Sequence, residues 1–254
     1  MERRRVLSNT KGVLMKRAFI RCVWGAYKIE SPTNTFHAGE KLARRAKIDT
    51  DIDLILKNTF NEPFVVYVFG KDNFEKMKLL GFNCVLADPN PAPFDQLNFV
   101  YRNKMELIKY AMEVDGHDEI IYLDWDCRPQ KKLPDNYWEV FEKRAPIQAC
   151  LQQYRRRKCL WRGAGDVRKV PNGGFIYIRD KSIPAEAIKI WDTMKQDNDE
   201  PAWAMLIDNK MGGWKGMEEF WKSYEAPFCN LHKMSPFSKE QLGSKDLCFI
   251  HFQG

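Results

Sequence analysis

Short apolar runs alternate with amphipathic stretches through the first half of the chain. Residues 18–23, 64–69, 83–87 and 120–123 are short, mostly apolar stretches that predict strands, and the last, Ile120-Ile121-Tyr122-Leu123, is a continuous apolar run, as expected of a strand covered on both faces. Between them, 41–58 places Leu42, Ala46, Ile52 and Ile55 on one side, and 99–114 does the same with Leu107, Ile108, Ala111 and Met112 while Lys104 and Glu106 fall off that side. Both patterns predict helices, as does 74–80, with Asp72 or Asn73 as its N-cap and Gly81 as its stop. Strands alternating with helices predict a parallel α/β sheet with right-handed crossovers. The proline-rich stretch 88–93 is a rigid loop.

The second half carries fewer strong periods. A short helix is predicted over 137–143 and a strand over 147–154. Pro171-Asn172-Gly173-Gly174 reads as a turn leading into strand 175–178, and 184–195 as a helix. Asn198 or Asp199 caps a further helix with Pro201 in its first turn. A last strand, 247–250, ends in His251-Phe252-Gln253-Gly254. With no repeat, low-complexity tract or linker, the expectation is one domain over 17–254 after a poorly ordered leader, 1–16.

Composition narrows the class. A hydrophobic share of 44% and a charged share of 30% are those of a soluble globular protein. No apolar run approaches the roughly 20 residues of a membrane span, and the basic start around Arg3, Arg4 and Arg5 lacks the apolar stretch of a secretory signal. The seven cysteines are odd in number, scattered and never spaced as Cys-x-x-Cys. That pattern predicts free thiols in a reducing, cytoplasmic compartment and no zinc site of paired cysteines. A net charge of +7 points to anionic ligands: phosphates, nucleic acid or a membrane surface. The run Arg155-Arg156-Arg157-Lys158 is either a solvated edge or a site for an anion.

The chemistry concentrates where run 120–123 passes into Asp124-Trp125-Asp126. Residues two apart on an extended chain face the same side, so both carboxylates can reach one ligand. Like charges so close repel unless a cation lies between them, and a divalent ion with oxygen ligands suits that position. A solvated turn is the plain alternative. Ligands bind beyond the carboxyl ends of strands in such sheets, and the two aspartates lie at such an end. Trp24 and Tyr27, around Gly25, offer either flat faces for a base or ordinary core packing. Gly173 and Gly174 permit close backbone approach, and His251 is either a satisfied core residue or a metal ligand.

The ordered set of strand 18–27, Asp124-Trp125-Asp126, Asn172-Gly173-Gly174-Phe175 and His251-Phe252-Gln253-Gly254 resembles the GT-A-fold glycosyltransferases that use nucleotide sugars. The resemblance implies an α/β, Rossmann-type domain with a central, mostly parallel sheet flanked by helices. It further implies an Mn2+ or Mg2+ cofactor, a nucleotide-sugar donor (a UDP-sugar favoured) and an oligosaccharide or glycoconjugate acceptor. Asp126 would bind the metal, Asp124 the metal or the ribose, and His251 would complete the site. The spacing of His251 to Gly254 resembles the His-x-x-Gly of glycogenin-like enzymes, and the sequence ends before the lysine and tryptophan that follow there. Lys104 resembles the basic residue such enzymes place near the donor. Trp24, Gly25 and Tyr27 would surround the nucleobase, and Asn172, Gly173 and Gly174 the sugar or acceptor. An inverting enzyme needs a general base, for which Glu200 with its neighbour Asp199 is the candidate; a retaining one does not. The short soluble enzymes of bacteria and large algal viruses are the nearest in kind.

Two rivals compete. Haloacid-dehalogenase-type phosphatases also follow a strand with Asp-x-Asp, but near the N-terminus and with Thr or Val where this chain has Arg128. They also carry a later Gly-Asp-x-x-x-Asp, which Gly165-Asp166 does not begin. A nucleic-acid-binding module would use Arg155 to Lys158 and Trp161, but no recognised motif accompanies them.

Overall fold

The apolar runs of the first half become the middle of a six-stranded sheet. The computed structural model describes residues 15–23, 63–79, 81–87, 100–124, 127–129, 133–154, 168–194, 199–210, 223–224, 226–232 and 249–252. Strands β1 (Arg17–Val23), β2 (Phe64–Val68), β3 (Cys84–Leu86) and β4 (Glu119–Leu123) run parallel. Strand β7 (Arg168–Ile178) lies antiparallel beside β4, and β6 (Ile147–Tyr154) antiparallel beside β7. The order is β3-β2-β1-β4-β7-β6, a mostly parallel sheet with an antiparallel flank.

Helices cover both faces because side chains alternate along each strand. Ile20, Cys22, Tyr67, Tyr122 and Ile176 pack on one face against α2 (Val100–Glu113), α4 (Ser182–Met194) and α5 (Glu200–Lys210) through Leu107, Ile108, Ile183, Trp191 and Trp203. Phe19, Val23, Val66, Ile121, Leu123, Phe175 and Tyr177 pack on the other against α1 (Lys71–Leu79) and α3 (Tyr137–Glu142), through Met77, Trp138 and Phe141. A second sheet, ordered β5-β9-β8, joins β5 (Cys127–Pro129), β9 (Phe249–Phe252) and β8 (Cys229–His232). Antiparallel pairing of β5 with β9 sets Cys127 opposite His251.

Several expectations change. Pro171 to Gly174 form no turn, because β7 runs straight through them. Its pairing with β6 jumps from Ile176 opposite Ala149 to Asn172 opposite Cys150, so 173–175 are extra residues in a bulge. Glycine inside a strand marks such irregularities, and the ladder needs only its backbone. His251 lies within a strand instead of after one. Asn73 falls inside α1, its amide donating to the Phe69 carbonyl at 3.0 Å instead of capping.

The leader, the helix expected at 41–58, the proline loop 88–93 and the basic run 155–158 lie outside the described residues. Among the described residues no helix is long and apolar enough to cross a membrane, and Cys22, Cys84, Cys127 and Cys150 are free thiols.

Candidate functional site at the carboxyl end of the fourth strand

Asp124 is the first residue beyond β4. Its backbone N–H donates to the Gly174 carbonyl at 2.8 Å, tying it to the glycine bulge of β7, and its own carbonyl accepts the Cys127 N–H at 2.9 Å. The Tyr122 phenol donates to Asp124 Oδ1. Burial, with the Asp124 charge behind it, pushes that phenol far above its ordinary range, so it remains a donor.

The cation of the site comes from α2. Lys104 is only 1% exposed, with Nζ 2.9 Å from Asp199 Oδ2 and 3.5 Å from Asp124 Oδ1. The same ammonium stands 4.8 Å from the Tyr122 ring centroid. An ammonium withdrawn from water needs that company: two carboxylates and a π face offset the lost hydration. Asp199, at the N-cap position just ahead of α5 with its carbonyl accepting the Trp203 backbone N–H at 3.2 Å, also accepts the Trp203 indole N–H on Oδ2 at 2.8 Å, so its carboxylate turns inward. Burial pushes the neighbouring Cys22 thiol well up despite the opposing Lys104 charge, which makes it a packed thiol and a poor nucleophile.

Gly173 closes the arrangement. A Cβ there would stand 2.3 Å from Asp199 Oδ2 and 2.9 Å from Lys104 Nζ, so any side chain would push the ion pair apart. Its neighbour Asn172 is buried, accepting the Gly174 N–H on Oδ1 and donating from Nδ2 to Glu200 Oε1, both at 2.8 Å. The result is a cluster of one sealed cation and two carboxylates. Of the two, Asp124 is the open one, at 27% exposed against 4% for Asp199.

Seven residues singled out in the sequence therefore converge: Lys104, Asp124, Asn172, Gly173, Gly174, Asp199 and Glu200. Trp24, Gly25, Tyr27 and Asp126 lie outside the described residues, and His251 is described only by its backbone position opposite Cys127. Among the described residues no three ligating side chains gather at one point. Of the donor types in question, carboxylate oxygens suit Mn2+ or Mg2+ by chemistry, whereas an imidazole among them suits a transition ion such as Mn2+ and not Mg2+. Sequence reasoning missed two contributors. Tyr122 passed as one more apolar strand residue, although a hydroxyl two positions before an aspartate was its signal. Arg21 passed unremarked, although a lone charge inside an apolar strand was its own.

No protein-family model matches the chain, and no curated protein matches it in sequence. Solved structures do. The galactosyltransferase LgtC, in complex with donor and acceptor sugar analogs, aligns over 93% of this chain and 87% of its own, with 12% identity and a TM-score of 0.50. A glycosyltransferase involved in the glycosylation of the major capsid of PBCV-1 aligns over 92% of both chains, with 10% identity and a TM-score of 0.42. The glycosyltransferase GlyE of Streptococcus pneumoniae TIGR4 aligns over 95% of this chain and 55% of its own, with 14% identity and a TM-score of 0.42. The likeness to LgtC shows the fold: a GT-A-like α/β domain with a central, mostly parallel sheet. Neither rival draws support here. The acidic motif follows the fourth strand of its sheet, and β7 beside that strand runs antiparallel.

Proposed function

We propose that the protein is a metal-dependent glycosyltransferase, moving a sugar from a nucleoside-diphosphate sugar, UDP-linked by preference, to a hydroxyl of a glycan acceptor. The observation that carries this proposal is the cluster of Lys104, Asp124 and Asp199 beside the Asn172–Gly174 bulge, at the carboxyl end of β4 in a GT-A-like sheet. LgtC, which shares that fold, was solved with donor and acceptor sugar analogs.

Asp124, Asp126 and His251 are the residues that would hold Mn2+ or Mg2+, whose chemistry is to neutralise, as a Lewis acid, the charge developing on a diphosphate leaving group. Lys104 works from beneath. Too deeply buried to touch an acceptor, it holds two carboxylates side by side that would otherwise repel. Asp199 and Asn172 lie against the bulge where the sugar binds, and Trp24, Gly25 and Tyr27 surround the nucleobase. Glu200, oriented by the Asn172 amide, is the base for an inverting transfer.

Thermal unfolding with UDP, GDP and a panel of their sugars, with and without Mn2+, tests the proposal. A nucleotide at about a hundredfold excess over its Kd should raise Tm by about 5–10 °C in the presence of metal. No shift with any nucleotide in the presence of metal would remove the basis for it.

A further inference from the structure

Arg21 occupies the middle of β1, where Ala18, Phe19, Ile20, Cys22 and Val23 are all buried and apolar. It is 0% exposed, and a guanidinium does not discharge to ease its burial. Withdrawing such a charge from water costs several kcal/mol before compensation, whereas a leucine would fill the strand at no such cost. Packing alone therefore does not account for an arginine here. Its side chain lies on the face shared by Phe19 and Val23, with Cζ 5.7 Å from the Phe64 ring centroid, and Nη2 donates to the Cys127 carbonyl at 3.2 Å.

Cys127 is a junction. It begins β5, its N–H returns to the Asp124 carbonyl, and its register partner in β9 is His251. Tyr122 points to the opposite face of the sheet from Arg21 and donates to Asp124 Oδ1. Asp124 is thus held by a phenol from one face and Cys127 by a guanidinium from the other.

We infer that Arg21 and Tyr122 form a two-sided clamp on Cys127 and Asp124, positioning residues that keep Asp124 and the Cys127–His251 junction in place for a divalent cation and its nucleoside diphosphate. The inference rests on the function proposed above and deepens it. A cation bound by few protein oxygens tolerates little play among them, and partners behind the ligating groups set that play. Neither clamp residue needs to touch the ligand. Each acts through another group, Arg21 through a carbonyl and Tyr122 through a carboxylate.

The test compares Tyr122→Phe, Arg21→Met and Arg21→Lys with Tyr177→Phe. The last removes an equally buried phenol, one that donates to Glu119 at 3.1 Å at the amino end of β4. Calorimetric titration with Mn2+ alone, and with Mn2+ plus UDP, gives affinity, and thermal unfolding gives stability. Tyr122→Phe and Arg21→Met should bind Mn2+–UDP about 10–100-fold more weakly. Arg21→Lys should lose less, because it keeps the charge and a donor. Tyr177→Phe should lose Tm and keep its affinity. Should Arg21→Met fail to fold, Tyr122→Phe and Arg21→Lys decide the matter. Wild-type affinity in Tyr122→Phe and Arg21→Lys, or losses no larger than in Tyr177→Phe, would overturn the clamp and leave the proposed function standing. Absence of metal-dependent UDP or GDP binding by the wild-type protein would overturn both.

Discussion

Glu119 and Asp124 stand at opposite ends of β4, and each carboxylate meets a cation and a tyrosine. At the amino end Glu119 is 1% exposed, accepting Arg17 Nε at 2.8 Å and the Tyr177 phenol at 3.1 Å. Its cation is the accessible partner: Arg17 also reaches Glu142 and stands 5.2 Å from the Trp138 ring centroid. At the carboxyl end the roles are exchanged, with Lys104 sealed and Asp124 accessible. Burial raises the pKa of Glu119 even against the pull of Arg17, as suits a carboxylate built into the fold. A sealed carboxylate with an open cation secures an edge. An open carboxylate over a sealed cation presents oxygen to a ligand.

The comparison can be broken most forcefully at Lys104. Lys104→Met leaves Asp199 buried without its ammonium, and should cost about 3–5 kcal/mol in urea unfolding. A loss below 1 kcal/mol would mean that the sealed cation is not what the cluster depends on. The two ends of β4 should then separate by phenotype. Asp124→Asn should lower the proposed transfer about 10²–10³-fold with little change in unfolding, since its amide oxygen still accepts the Tyr122 phenol. Glu119→Gln should do the reverse, costing about 1–3 kcal/mol of stability with turnover kept. Crossed phenotypes would dissolve the distinction between the ends.

The smallest effect is electrostatic and belongs to the amino end. His117 Nε2 lies 3.0 Å from the Tyr67 hydroxyl, which donates to Asp115 Oδ2 at 2.7 Å. Burial lowers the pKa of His117 below its ordinary 6.5, so below that pH the unfolded chain binds the proton more readily than the folded one. His117 therefore contributes stability above that range, and the contribution fades as pH falls through it. Unfolding between pH 7.5 and 5.5 should show a loss of a fraction of the roughly 1.4 kcal/mol per pH unit that one full proton gives. His117→Gln should flatten the curve, and an unchanged slope would assign it to other groups.

Much of the sheet was legible because central strands such as 64–69 and 120–123 are apolar runs whose burial needs no partner to be named; these and 147–154 fold nearly as patterned. The glycine-containing part of β7 was not, since glycine signals a turn whenever its neighbours are unknown; here the strand pairs with β6 on either side while Gly173 and Gly174 bulge out of that ladder, and the Gly174 carbonyl meets Asp124 instead. Of the second sheet only the last strand was legible, read as 247–250; β5 and β8 are short, and Cys127 finds His251 only through tertiary structure. Asp124 and Glu200 could be nominated by residue type and place, and Lys104 and Asn172 through the family resemblance. Their pairing could not, and neither could the bond from Arg21 to Cys127, whose partners are 106 residues apart.

The same junction bears on the order in which the molecule assembles. All six strands of the main sheet lie within residues 17–178, whereas β9 follows every other described element. Chains emerge from synthesis amino end first, and regions near the start begin to fold while the rest is still being made. The large sheet can therefore gather Lys104, Asp124 and Gly173 early, before β9 arrives to set His251 against Cys127. If the proposed function holds, capacity for the proposed metal should consequently lag behind compaction during folding, with β9 arriving as the step that brings His251 to its place beside Cys127.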